Sequence, residues 1–442
     1  MPFGFALIML FSFVAHANMT AKQLEEKLLQ RRRIVDLAKR SGLKSISDLS
    51  APAYFLASDL TYIVTDIRSL DRVSTVNSNS MMWTGFFWPN YLGGLAYRLP
   101  DPNFPRSNWG QSREYVRARP SAATANEYLS PAEKYDIVMG VSPEEEGSLT
   151  NHQWKMGEAE FNRTGLVETW QGICHGWAPA AINLPIPKRS VIFSTHRGNI
   201  TFTPDDIKAL GSLLYANGRY ESVHLGLRCN SNTPEVDNNG RIITPECFDI
   251  NPADWHIITT HHLGFGRRPF VIDIVQSEQV WNKPIIGYRY KYQNLQTGLS
   301  TNTINMGIIP IAQARRLRHN SYRNPITAYV IGIEMTITYL DGGFVRNNMN
   351  NTKEMSFSYD LELDANYKII GGEWQSEIRP DFAWKPRFVA LPTTEGDTQT
   401  STLKPWEAAV NPAWRNSALQ SNAHGAPLTK FVKYLFDIAG AI

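Results

Sequence analysis

Cysteine is scarce in this chain, with three residues in 442. So low a count excludes a disulfide-dense scaffold and a multi-thiolate metal cluster. An excess of one charge is missing as well: Lys plus Arg number 44 and Asp plus Glu 41, leaving +3. That balance offers no field to hold a phosphate backbone, so nucleic acid is not an expected partner. No apolar run reaches the roughly 20 residues of a stable membrane span, and no repeat recurs at a fixed period, which disfavours solenoids and propellers. No EF-hand loop is present either, so no cofactor is called for and any calcium would sit on dispersed oxygens that the sequence does not mark.

What is present is material for a core. Hydrophobic residues make up 43% of the chain, and 12 Trp, 18 Tyr and 20 Phe are too many for a disordered polymer. The length allows two or three units of roughly 100 to 200 residues each. From Phe3 to Val14 the chain is apolar apart from Ser12, and Ala15-His16-Ala17 follows with a small-x-small cleavage pattern, although no Lys or Arg precedes the run. Residues 1–17 read as a signal peptide, and the mature protein as secreted or periplasmic. Cys229 and Cys247 bracket a polar, turn-rich segment with Asn230, Asn232, Pro234, Asn238, Asn239 and Gly240, so a disulfide there would staple a loop. That pair leaves Cys174 over. A leftover thiol in an exported chain is either a small buried residue or a nucleophile.

Residues 19–50 carry Leu24, Leu28, Ile34, Leu37 and Ala38 at helical spacing, with Arg31 to Arg33 on a solvated face. Residues 75–135 are aromatic and Pro-rich, and few regular elements are expected there. Residues 18–145 together read as a helical, loop-rich N-terminal region that would serve as a pro-segment over the cleft. The acidic span 142–148 marks a boundary, residues 146–400 form the expected catalytic domain, and 401–442 a C-terminal extension. In the middle domain a helix at 177–184 precedes strands at 190–195, 223–227, 255–260 and 270–275, then a long hairpin built from 327–339 and 356–363. Helix followed by strands predicts an α+β fold.

In Glu168-Thr169-Trp170-Gln171-Gly172-Ile173-Cys174-His175-Gly176-Trp177-Ala178-Pro179 the unpaired Cys stands behind a Gly and ahead of a helix start. Backbone N–H groups there favour a thiolate and can donate to an oxyanion, with Gln171 as a candidate second donor. Pro179 is placed close to the first turn. A thiolate nucleophile needs a base and a group to orient that base. His256, opening a β-branched stretch, is the expected base. Asp273, set among apolar strand residues, is expected to orient it, with Asn282 as the alternative. His175 is read as a neighbour whose side chain points away, and His261 and His262 lack ligand spacing to His256, so no metal site is expected. Trp170, Trp177, Trp255 and Trp281 are either the walls of a substrate channel or ordinary core.

Three segments carry a resemblance. Cys174-His175-Gly176-Trp177-Ala178-Pro179-Ala180, Val280-Trp281-Asn282-Lys283-Pro284-Ile285-Ile286-Gly287-Tyr288, and Asp364-Ala365-Asn366-Tyr367-Lys368-Ile369-Ile370-Gly371-Gly372-Glu373-Trp374 with Pro380-Asp381-Phe382 and Trp384 stand in one order over about residues 150–385. They resemble, respectively, the nucleophile motif, the surface peptide motif and the C-terminal signature of the oomycete cell-wall transglutaminase elicitors. The resemblance implies a papain-like cysteine-nucleophile core with an antiparallel sheet. It also implies a secreted protein-glutamine gamma-glutamyltransferase that joins protein glutamine to lysine or a polyamine through a thioester on Cys174. A papain-like protease or amidase shares that thioester chemistry, and a secreted recognition protein with an inert Cys174 is the reading from another class. Lys283, Ile285 and Ile286 depart from the elicitor form of the surface peptide.

Overall fold

Pro, Gly and aromatic residues break the chain after residue 84 into short turns, yet helices form wherever a cap is supplied. The computed structural model describes residues 63–440 apart from 77–81, scattered positions between 230 and 249, 276–278, 315–322, 343–350, 388–390 and 401–411. The expected signal peptide and the amphipathic segment at 19–50 lie outside the described residues. After a short strand, β1 (Val73–Thr75), helix α1 (Trp109–Ala118) starts at Asn108, whose side chain accepts from Gln111 N–H. Helix α2 (Pro131–Val138) opens on a reciprocal capping box of Ser130 and Glu133 with Pro131 at its start. Helix α3 (Leu149–Thr164) is capped by Ser148 and ends on Gly165 at φ 76°. Helix α1 forms in a stretch where the Pro content predicts few regular elements, because the cap at Asn108 starts it.

Helix α4 (Cys174–Asn183) is followed by a hairpin of β2 (Val191–Thr195) and β3 (Gly198–Phe202), then α5 (Pro204–Asn217) and β4 (Ser222–Gly226). Helix α6 (Pro252–Thr259) runs into a π-helical turn, Thr260–Phe265. Here a strand was expected at 255–260, on the β-branched Ile257, Ile258 and Thr259. Asn251 accepts from Ala253 N–H, and Pro252 presets the first turn, so the local start signal overrides side-chain propensity.

The remaining strands are β5 (Phe270–Asp273), β6 (Asn282–Gln293), β7 (Ser300–Thr301), β8 (Ile308–Pro310), β9 (Tyr329–Leu340), β10 (Thr352–Leu363), β11 (Ile369–Trp374) and β12 (Phe382–Pro386). Two helices close the described chain, α7 (Pro412–Asn422) and α8 (Thr429–Gly440). The large sheet is antiparallel in the order β11-β10-β9-β6-β5-β12-β4, with β1 and β7 beside β6 and β8 beside β9. The long hairpin is present as β9 and β10, in register from Tyr329 opposite Leu363 to Leu340 opposite Thr352. The fold is therefore α+β with an antiparallel sheet.

One hydrophobic core draws on both sides of the expected boundary at 142–148: Trp83, Leu95 and Tyr135 before it, Leu213, Ile285 and Ile337 after it, and Phe431 and Leu435 of α8. Residues 282–288 of β6 are all buried, so the stretch that resembles a surface peptide is an interior strand in this chain. Neighbours on both edges and β1 alongside cover it, and its apolar Ile285 and Ile286 fit that position. Cys229 and Cys247 are joined in a disulfide. Among the described residues no helix is long and apolar enough to cross a membrane.

Candidate active site

Two glycines set the approach to Cys174. Ile173 N–H donates to Phe87 O at 2.7 Å, and a Cβ on Gly172 would stand 2.4 Å from that carbonyl, so only Gly admits the crossing. Gly176 lets α4 lie on α5, since a Cβ there would come within 2.2 Å of Ser212 O. Ile173 caps α4 without a side-chain bond, and the N–H groups of Gly176 and Trp177 both turn back to its carbonyl. Pro179 lies inside the helix rather than in its first turn, where it removes the N–H that would bond His175 O.

The helix presents the Cys174 sulfur, 6% exposed as a residue, to the start of β6. Asn282 Nδ2 donates toward Sγ at 3.6 Å, and the thiol faces Val280 O at 3.5 Å. Trp384 Nε1, from β12, donates to Asn282 Oδ1 at 2.7 Å and fixes which end of the amide meets the sulfur. Asn282 stands directly opposite Asp273 across the β5–β6 pair. Asp273 Oδ1 accepts from Trp281 N–H at 2.9 Å and Val275 N–H at 3.4 Å, while Oδ2 is buried with no hydrogen-bond partner among the described residues.

Burial pushes the Cys174 thiol up, the Asn282 hydrogen bonds pull it down, and the Asp273 charge opposes ionisation while Lys283 favours it. Desolvation is the largest of these, so in the closed site the helix N-terminus alone does not produce a thiolate. Burial also raises Asp273 to about 7, against the N–H bonds from Trp281 and Val275 and the charge of Arg228. A carboxyl poised near neutrality can both take and give a proton.

His256 is not brought to this sulfur. Its Nδ1 meets Tyr359 Oη at 2.8 Å, and its ring lies 4.8 Å from that of Tyr290. Tyr290 is on the same strand as Asn282 but eight residues further along, roughly 25 Å at the usual rise per strand residue. The ring is fully buried, and desolvation lowers His256 to about 3, so it is a neutral core residue. The expectation of a Cys174–His256 pair fails because the segment is helix α6, packed at the far end of β6.

Of the other expected residues, Gln171 lies in the turn before α4, where its carbonyl accepts from Asn90 N–H. Trp170 is half-buried in the turn before α4. Trp255 is core, edge-on to Phe270 and Phe357. Trp177 and Trp281 do flank the site, with Lys283 Nζ 5.6 Å and 5.7 Å from their ring centres. His261 Nε2 accepts from Val64 N–H, and the Nδ1 atoms of His261 and His262 donate to Ile257 O and Arg268 O. Among the described residues no group of three or more His, Cys, Asp or Glu side chains is placed to hold a metal.

Two features escaped the sequence reading. The Trp384 clamp on Asn282 lies inside the quoted C-terminal signature, which was the available signal. The other is the irregular segment 84–88, which reaches the site through the Phe87 ring, 5.4 Å from Trp281, and through Gly85, against Trp177.

An α+β chain whose buried thiol opens a helix against an amide and a carboxyl on paired strands has a thiol-centred site of the kind that supports acyl transfer. The chain belongs to the transglutaminase elicitor family, which matches residues 52–404. Its fold is similar to that in the crystal structure of the GP42 transglutaminase from Phytophthora sojae, with a TM-score of 0.57 and 21% identity over 86% of this chain and 99% of that one. No curated protein matches the chain. The family resemblance read from the three motifs is thereby borne out.

Proposed function

We propose that this chain is a secreted protein-glutamine gamma-glutamyltransferase that forms isopeptide bonds through a thioester on Cys174, with Asp273 in the place first given to His256. The observation that carries the reading is the convergence of Cys174 Sγ, Asn282 Nδ2 and the buried carboxyl of Asp273 at the start of α4. Ionised Asp273 takes the thiol proton, and the sulfur attacks the glutamine carboxamide. Asn282 Nδ2 and the first N–H groups of α4 stabilise the oxyanion. Protonated Asp273 then gives its proton to departing ammonia and leaves the thioester. A lysine or polyamine amine then surrenders a proton to Asp273 as it attacks the thioester carbonyl; the C–S bond breaks, the isopeptide bond remains, and Asp273 returns the proton to the departing sulfur, while water in place of the amine gives deamidation.

The thiol at a helix N-terminus facing two strands supports a papain-like core, and the Cys229–Cys247 disulfide supports work in an oxidising compartment. Residues 84–88 lie over the site, and substrate entry requires them to shift. The test is ammonia release and incorporation of a fluorescent primary amine into casein by wild type and Cys174→Ala. Amine incorporation with at least as much ammonia released from wild type, and neither from the variant, is the expected result. Peptide-bond cleavage without amine incorporation would replace the transferase by a protease, and an unaffected Cys174→Ala would end the thioester reading.

A further inference from the structure

A buried sulfur that becomes an anion when Asp273 takes its proton requires a positive charge within reach, because burial penalises an uncompensated charge. The expected imidazolium does not supply it. His256 lies at the other end of β6, and His261 and His262 are committed to backbone groups. His224 is exposed on β4, stacked 5.6 Å from Trp384 and bonded to Ser222.

Lys283 is placed differently. It follows Asn282 on β6, and its side chain is 9% exposed. Its Nζ bonds Asp341 Oδ1 at 2.7 Å and sits over two indole rings. Trp177 is one turn of α4 beyond Cys174, and Trp281 precedes Asn282, so both rings belong to the segments that carry the site. Asp341 also takes Lys353 Nζ at 2.5 Å, so one carboxylate is shared by two ammonium groups and the cluster keeps a net positive charge.

We propose that Lys283, held by Asp341 between Trp177 and Trp281, is the positioning cation of the Cys174 site and stabilises the ionised sulfur in place of an imidazolium. This rests on the reading of Cys174 as the nucleophile. The charged and titratable groups of the site are Asp273 from β5 and Lys283 from β6, Arg228 just beyond β4, whose charge acts on Asp273, Asp341 just beyond β9, which holds Lys283, and His175 next to Cys174 on its own helix. Of the two whose charges act on the thiol, Asp273 opposes its ionisation and Lys283 favours it. The indole faces compensate part of the desolvation of the ammonium, and the departure of Lys283 from the elicitor peptide form acquires a physical role.

The test reads the thiolate directly. Cys174 is the one cysteine outside the disulfide, so the 240 nm absorbance of the intact protein minus that of Cys174→Ala titrates a single sulfur. Lys283→Gln should raise the midpoint by about one pH unit, a tenfold loss of thiolate at neutral pH. Lys283→Arg should stay near wild type. In amine incorporation Lys283→Gln should lower kcat with KM little changed, and a higher pH should recover the loss. Lys353→Gln, at an exposed side chain, leaves Lys283 and Asp341 a neutral pair and should shift the midpoint the same way by less. An unchanged midpoint in Lys283→Gln, or an equal shift in Lys283→Arg, overturns the proposal; if Lys283→Gln does not fold, an unshifted Lys353→Gln does so. The titration needs no substrate, so it stands apart from failure of the transferase assay.

Discussion

Replacing Asp273 by Asn separates chemistry from packing. The amide keeps the shape and its oxygen can still accept from Trp281 and Val275 N–H, but it cannot carry a proton between sulfur and amine. The folded value of Asp273, about 7, lies above the ordinary 3.8. The folded chain therefore holds a proton there that the unfolded chain releases at lower pH. The stability this contributes is complete below 3.8 and is lost as pH rises through about 7. The gap of about three units corresponds to about 4 kcal/mol lost by pH 8. Asn has no such proton to lose. Asp273→Asn should thus melt higher than the parent at pH 8 and alike at pH 4, while amine incorporation falls by about 10²- to 10⁴-fold. Asp136, also raised to about 7 by burial, imposes the same slope on both proteins, so the difference between their melting curves reads Asp273 alone. Activity within a few-fold of the parent, or a lower melting point at pH 8, would refute the reasoning.

His256→Phe keeps an aromatic ring between Tyr290 and Tyr359 but loses the Tyr359 bond, so stability should fall by about 1–2 kcal/mol with amine incorporation kept within about twofold. A loss of activity as deep as that of Asp273→Asn, in a variant that still folds, would restore the imidazole to the mechanism. Cys229→Ser with Cys247→Ser opens a loop of sequence separation 18 and should cost about 3 kcal/mol by loop entropy, matched by reduction of the parent. Identical denaturant midpoints with and without the disulfide would contradict that.

The parts of the fold legible in the sequence were those with local signals. The β9–β10 hairpin follows from alternation over two long runs, and α4 from its Gly-flanked start, although its beginning at Cys174 rather than 177 needed the loop that crosses Gly172. Cys174 could be chosen because two other cysteines paired off. The base could not, since it depends on which residue faces the sulfur across strands. Asp273 and Asn282 are nine residues apart in sequence and opposite in space, and that antiparallel pairing makes them a unit rather than competing supports for His256. Residue 256 was misplaced because Ile-Ile-Thr favours a strand while Asn251-Pro252 starts a helix, and the cap decided.

The shared core also ties the N-terminal region to the rest of the fold. A removable pro-segment leaves a complete core behind when it goes, but Trp83, Leu95 and Tyr97 have no exposed surface, and Lys134 of α2 forms a buried ion pair with Asp206 of α5. Taking away residues 63–140 would leave their partners in α3, α5 and α8 facing water, at about 1.5–3 kcal/mol for each large side chain uncovered. Such a loss exceeds the stability of most domains. That argues for an integral region, of which the short irregular piece 84–88 lies against the Cys174 site. Access to the sulfur is then a local opening, and deletion of the region should end folding rather than release activity.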